Sequence, residues 1–283
     1  MESLAMTQPK IRHPVMRYHG GKFRLAPWII SHFPDHRCYV EPFGGAAGVL
    51  IQKPRSYAEV YNDLDGEVVN LFRVLRDADM CRRLQDACSL TAYAREEFNL
   101  AKQPATDPIE RARRMVVRAC MGFGSASALD SHSGFRCDSK RLYATAAHLW
   151  TRFPANLAAI SERLQGVIIE NKNALEVMRA HDGDDTLHYI DPPYVSETRA
   201  AGRRQYNHEM TDDDHVELLA TATLMRGAVV ISGYDCEIYR DLLTGWQMKT
   251  KSSRISAGKG TKTRQECIWL SPVISERMPV KHE

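Results

Sequence analysis

At residues 187–194 an apolar run, Leu187-His188-Tyr189-Ile190, meets Asp191-Pro192-Pro193-Tyr194, and the backbone there has few options. Proline at 192 biases Asp191 away from the helical region, and Pro193 does the same to Pro192, so the chain leaves a short buried strand stiff and extended. Asp191 and Tyr194 are thereby held on a pre-shaped edge. Two prolines donate no N–H, so the corner offers mainly acceptors, the Asp191 carboxylate and the Pro192 carbonyl, beside an aromatic ring. Such a set suits a planar ring bearing an amino group. A Pro-Pro turn with a solvated Asp is the plainer reading of the same four residues.

The chain before this point alternates strand and helix. Arg17-Tyr18-His19-Gly20-Gly21-Lys22 opens a helix expected over 22–32, kinked at Pro27, and its N–H groups and Lys22 suit a small anion; a flexible loop with a solvated lysine is the alternative. A strand at 38–40 runs into Glu41-Pro42-Phe43-Gly44-Gly45-Ala46-Ala47-Gly48, after which a helix is expected to continue through 49–51. The spacing is neither the dinucleotide fingerprint nor the phosphate-loop pattern. The next strand, 56–61, ends at Asn62-Asp63-Leu64-Asp65. This puts an acid about 20 residues beyond the glycine turn, where nucleotide-binding α/β folds carry a ribose-hydroxyl acceptor. Asp63 is the better candidate, whereas Asp65 reads as the cap of a helix over 64–75.

Between 77 and 163 the alternation stops. Helical segments are expected at 80–88, 91–102 and 108–120 with no strand, which implies a helical insertion in a domain formed by 1–76 and 164–283. The helix at 108–120 carries Arg111, Arg114 and Arg118 on one face, with no acid interleaved after Glu110, although such a basic face is usually merely solvated. A Gly- and Ser-rich stretch follows from Gly122 to Arg141 and contains Phe123, Phe135 and Arg136, a composition that favours binding. Alternation then resumes with a strand at 166–170, a turn at 171–173, a helix through Val177 and the strand before Asp191. Beyond Tyr194 come Arg199, Arg203 and Arg204, a helix starting at Thr211-Asp212-Asp213-Asp214, and a strand at 228–232. Two last strands are expected at 246–251 and 266–270. The stretch 249–264 contains six basic residues and no acid, so Lys259, Lys262 and Arg264 are candidate phosphate contacts, with a solvated hairpin as the alternative.

Composition narrows the class. The 283 residues carry a formal charge of only +3, so any basic footprint is local rather than global. Seven scattered cysteines without a Cys-x-x-Cys pair argue against structural zinc and a disulfide framework. No apolar run reaches membrane length and no signal peptide opens the chain, so a cytoplasmic protein is expected.

In order, Tyr18 to Lys22, Glu41 to Gly48, Asn62-Asp63, Asn173, Asp191 to Tyr194 and Ile231-Ser232-Gly233-Tyr234 resemble the motifs of Dam-type DNA adenine methyltransferases, over roughly residues 15–271. These place the cofactor motifs before a target-recognition insertion and the Asp-Pro-Pro-Tyr motif after it. The resemblance implies a Rossmann-like α/β S-adenosylmethionine-dependent methyltransferase domain with a helical target-recognition insertion. It implies S-adenosylmethionine held by Tyr18, Lys22, Glu41, Phe43, Gly44, Gly45, Asp63, Asn173 and Asp191. Asn173 stands where relatives often carry Asp, and Ala46 and Ala47 make the turn less glycine-rich than usual. Catalysis would fall to Asp191, Pro192, Pro193 and Tyr194, acting on an adenine flipped from double-stranded DNA, with no metal and no covalent enzyme intermediate. Arg111, Arg114, Arg118, Arg136, Arg199, Arg203, Arg204, Lys259, Lys262 and Arg264 would contact DNA. A monomer or weak dimer is expected. The same scaffold acting on another planar amine (cytosine, an RNA base or a protein glutamine), a non-catalytic DNA-binding relic, and a nucleotide-dependent oxidoreductase are the rival readings.

Overall fold

Apolar runs with buried backbones on both sides are the signature of strands inside a mainly parallel sheet, and this chain has several. In the computed structural model, which describes residues 11–124, 126–128, 133–140, 144–195, 208–257 and 260–277, they form one seven-stranded sheet. Of residues 126, 253–257 and 260–264 only the backbone is described. The strands are β1 (Cys38–Glu41), β2 (Ala58–Asn62), β3 (Val167–Glu170), β4 (Thr186–Ile190), β5 (Ala228–Gly233), β6 (Gln247–Ala257) and β7 (Gly260–Leu270). Every residue of β4 and β5 is buried, as expected of central strands.

The sheet order is β3-β2-β1-β4-β5-β7-β6. β1 pairs parallel with both β2 and β4, and β4 pairs parallel with β5, whereas β7 is antiparallel to β5 and to β6. The chain therefore moves outward from β1 to β2 and β3, then returns to the other flank of β1 with β4. Open α/β sheets bind ligands beyond the strand C-termini at such a reversal of direction, because the two loops diverge there and leave a crevice.

The chain divides into two compact units. The sheet unit comprises 27–44, 54–64 and 168–283; the other comprises 1–26, 45–53 and 65–167. The second unit takes in more of the chain than the insertion expected at 77–163. Its helices are α2 (Gly66–Arg76), α3 (Ala78–Leu90), α4 (Arg95–Leu100), α5 (Pro108–Met121), α6 (Ala146–Arg152) and α7 (Leu157–Leu164). α5 is its axis, touching α2, α3, α4 and α6. Asp107 caps it by accepting from the Glu110 N–H at 2.8 Å, and Pro108 occupies a first-turn position where no donor is needed. Among the described residues of 77–163 the only β pairing is an isolated bridge between Gly122 and Phe135.

α1 (Ala26–Ile30) is shorter than the 22–32 helix expected, and residues 23–25 are turns. Pro27 sits in its first turn rather than at a kink. The helix expected to run on from Gly48 does not form either. Gly45 (φ 46°) and Ala47 (φ 51°) are left-handed, which breaks a right-handed path, and residues 48–52 are turns. The sheet unit adds α8 (Ala174–Ala180), α9 (Asp212–Thr223), α10 (Glu237–Leu242) and α11 (Pro272–Arg277). α9 starts at a reciprocal cap between Thr211 and Asp214, matching the signal read in its sequence.

The sheet unit's core packs Ile190, Val229, Ile231, Leu218, Leu219 and Trp269 together, with Phe43 against them. Asp65 is the N-cap of α2, its carboxylate accepting from the Glu67 N–H at 2.9 Å. Replacing a capping acid by Ala costs about 0.5–2 kcal/mol. Asp65→Ala should therefore lower the urea midpoint followed by circular dichroism while Asp65→Asn keeps most of it, and equal midpoints for all three proteins would remove the cap from the account.

Candidate active site

β1, β2 and β4 run parallel, so their C-terminal ends lie on one edge of the sheet and deliver Glu41 to Gly44, Asp63 and Asp191 to Tyr194 there. Asn62, fully buried at the end of β2, ties these ends together. Its Nδ2 donates to the Pro42 carbonyl at 2.9 Å and to the Lys172 carbonyl at 3.0 Å, and its Oδ1 accepts from the Lys172 N–H at 2.9 Å. Asn171 adds bonds from Nδ2 to the carbonyls of Asp63 and Leu64 at 2.8 and 3.1 Å. The loops after β1, β2 and β3 are thus stitched to one another. The Gly44 N–H donates to the Asn62 carbonyl at 2.7 Å, and a Cβ at 44 would stand 2.1 Å from the Tyr61 ring. Only glycine allows the chain past that buried tyrosine.

Glu41 is 2% exposed, and a carboxylate so placed needs donors. Tyr39, two residues earlier and on the same strand face, donates to Glu41 Oε2 at 2.6 Å. Burial, then the Glu41 charge, pushes the Tyr39 hydroxyl well above the ordinary phenol range, so it remains a donor. On the neighbouring strands the Tyr189 hydroxyl and Ser232 Oγ share a hydrogen bond of 2.8 Å, which pins β4 to β5 two residues before Asp191.

Asp191 and Tyr194 are half-buried and Pro192 is buried. The Tyr194 ring meets Tyr234 edge-on, centroids 4.5 Å apart at 65°, and its hydroxyl donates to Glu266 Oε2 at 3.3 Å. Burial first, then the charges of Asp191 and Glu266, push that hydroxyl's pKa well up. The corner therefore presents the Asp191 side chain beside a phenol that keeps its proton.

Asn173 lies exposed beyond β3 and caps α8 by accepting from the Leu175 N–H at 2.8 Å. In the other unit, the Tyr18 ring packs beside Gly45, where a Cβ would stand 3.0 Å from it. Lys22 is buried and donates to the Gly20 carbonyl at 2.7 Å. The residues expected around the cofactor thus divide between the units: Tyr18, Lys22 and Gly45 in one, the rest in the other.

The arginines expected to face DNA have partners within the fold. Arg111 grips Glu67 at 2.6 Å, Arg114 binds Glu110 and the carbonyls of Gln103 and Pro104, and Arg118 donates to the carbonyls of Ala101 and Ala128. Arg136 is buried and lines a cavity of about 190 Å³ with Arg17, Cys120 and Trp150. Arg199, Arg203, Arg204 and Lys259 lie outside the described residues, as do the side chains of Lys262 and Arg264. Three contributors escaped the sequence reading: the Asn62 amide, Tyr39 and Glu266. Tyr39 was accessible through its i, i+2 relation to Glu41, and Glu266 as the first acid after the basic stretch.

Removing the Asn62 amide leaves the buried Pro42 carbonyl without this donor, at a cost of about 1–3 kcal/mol, and frees the carbonyl and N–H of the exposed Lys172 to water. Asn62→Ala should reduce stability to urea by at least that much, and Asn62→Asp by more, since a carboxylate would face two carbonyl oxygens. An Asp variant as stable as the parent would show that the clamp does not hold the loops.

Comparison with known proteins bears on the family of the chain. Residues 18–256 match the family model described as D12 class N6 adenine-specific DNA methyltransferase. The chain is similar to a DNA adenine methylase of Haemophilus influenzae, 23% identical over 288 residues that cover 95% of this chain and 96% of that protein. It is also similar to a DNA adenine methylase of Escherichia coli K12, 24% identical over 88% of this chain and 91% of the relative. A type II methyltransferase of Lactococcus lactis subsp. cremoris is 25% identical over 72% of this chain and 74% of its own. With its strand-end motifs in family order and most of its length inside the family match, the chain belongs to the D12 class of N6 adenine-specific DNA methyltransferases.

Proposed function

We propose that this methyltransferase moves a methyl group from S-adenosylmethionine to the exocyclic amine of an adenine flipped out of double-stranded DNA, at the corner made by Asp191, Pro192 and Tyr194. The observation that carries the proposal is the position of that corner. It leaves β4 beside β1 at the reversal of the sheet, with Tyr194 held edge-on to Tyr234.

The donor set fits the cofactor. Asp63 at the end of β2 is an acceptor for ribose hydroxyls, and Glu41 is a buried carboxylate at the end of β1. Glu41, Phe43, Gly44, Asp63 and Asp191 of the sheet unit would hold it, and Asn173 beyond β3 would lie near its adenine. When bound, S-adenosylmethionine supplies an activated methyl on a positively charged sulfur.

The adenine amine is a poor nucleophile because its lone pair is delocalised into the ring. Accepting its two N–H bonds at the Asp191 carboxylate and the Pro192 carbonyl favours a pyramidal nitrogen and aims the lone pair. Asp191 also stabilises the positive charge that grows on that nitrogen, until its surplus proton leaves. Orientation in a fixed corner lowers the barrier to direct transfer. Tyr194 replaces the stacking that an extruded base loses, about 1–3 kcal/mol. For DNA itself the strongest candidate is the ribbon of β6 and β7: residues 260–266 of β7 pair with β6 alone, and the basic stretch 249–264 lies along it.

Single-turnover methylation tests the roles. Asp191→Ala should lose about 10²-fold or more in rate with cofactor and DNA binding largely kept. Tyr194→Ala should also dim or abolish the signal of a fluorescent purine at the target position, and Tyr194→Phe should be milder. Near-normal turnover in Asp191→Ala with cofactor saturating would overturn the assignment. For the cofactor, Asp63→Ala should weaken S-adenosylmethionine binding roughly tenfold by calorimetry, the scale of one hydrogen bond to a charged group, with DNA affinity unchanged. Unaltered cofactor affinity would leave Asp63 no role at the ribose.

A further inference from the structure

We propose that Glu266 is a positioning residue for Tyr194: its carboxylate fixes the ring that receives the extruded adenine. The inference rests on the reading that Tyr194 holds that base. Tyr194 stands in the segment leaving β4, beyond the last paired residue of the strand, so its two side-chain torsions need support from elsewhere. The ends of β5 and β7 supply support of that kind. β5 and β7 pair antiparallel, with Val230 opposite Leu270 and Gly233 opposite Cys267, and one further step of the same register sets Tyr234 opposite Glu266. Both residues touch Tyr194, one at its ring edge and one at its hydroxyl.

The chemistry of the contact is one-directional. A carboxylate only accepts, and burial together with the nearby acids keeps the Tyr194 hydroxyl protonated, so it donates. Edge contact alone allows the ring to slide along Tyr234. Adding a fixed acceptor at the hydroxyl defines where the ring tip lies, and with it the plane offered to a base. Glu266 is itself held in a strand paired on both sides: its neighbour Cys267 faces Gly233 of β5, and Glu266 faces Lys251 of β6. At 3.3 Å the bond is long for a hydroxyl donor, so the expected effect is modest, about three- to ten-fold.

The test compares Glu266→Ala, Glu266→Gln, Tyr194→Phe and the double variant Glu266→Ala/Tyr194→Phe on a duplex whose methylated site has been mapped, with 2-aminopurine at the target. Glu266→Ala should slow single-turnover methylation three- to ten-fold and dim the 2-aminopurine signal, with cofactor affinity unchanged. Glu266→Gln, which keeps an acceptor, should recover most of both. Tyr194→Phe should match Glu266→Ala, and the double variant should be no worse than either. Losses that multiply in the double variant, or a Gln variant as impaired as Ala, would overturn the proposal. Should Glu266→Ala fail to fold, Glu266→Asp against Glu266→Gln carries the same test: the shorter acid should lose rate and the amide keep it, and equal rates overturn it. Tyr194→Ala separates the two levels. If it leaves the 2-aminopurine signal intact, the reading of Tyr194 as base holder fails; if it dims the signal while Glu266→Ala does not, only the positioning role fails.

Discussion

One buried amide ties together the loops at the C-terminal ends of three strands. Asn62 is the last residue of β2, and its side chain reaches the backbone that follows β1 and the backbone that follows β3, satisfying three main-chain groups at once. Strand ends ordinarily leave such groups to water, and loops so solvated wander. Here all three are paired to one buried side chain, so the loops carrying Gly44 and Asp63 are tied to the sheet. The neighbouring requirement for glycine at 44 follows from the same crowding, because the Tyr61 ring occupies the space that any side chain there would need.

The two units use charge differently. In the helical unit the arginines of α5 serve the fold: Arg113 is buried between Glu97, Glu110 and Thr91, and its hydrogen bonds hold the Glu110 carboxyl down at about 2. Ion pairs of this kind are satisfied internally and present little net field to a polyanion. In the sheet unit the sequence from 249 to 264 has six basic residues and no acid, so no carboxylate within that stretch offsets their charge.

What could be read in the sequence is what depends on neighbours in the chain. The strand before Asp191, the Asp65 cap, the Thr211 start and the central strands are local patterns, and the structure has them. The parts that were not legible are non-local. Arg111 and Arg114 looked like a solvent-facing stripe because Glu67 is 44 positions away and the Gln103 and Pro104 carbonyls have no signature in a sequence. Asn62 reaches a partner 110 residues on, and Tyr194 one 72 residues on. The missing helix after Gly48 has a different cause. Ala47 gives no hint of its left-handed backbone, since the surrounding fold imposes it against the residue's own preference.

The register of β7 has a mechanical consequence. Its residues 267–270 are gripped on both sides, by β5 and β6, whereas 260–266 are bonded to β6 alone. At about 3.4 Å per residue the one-sided part is a beam on the order of 20 Å long, clamped at its root. Two-stranded ribbons twist and flex more readily than wider sheets. The last residue before the grip is Glu266, whose carboxylate accepts from the Tyr194 hydroxyl, so the root of the ribbon and that ring meet at one side chain.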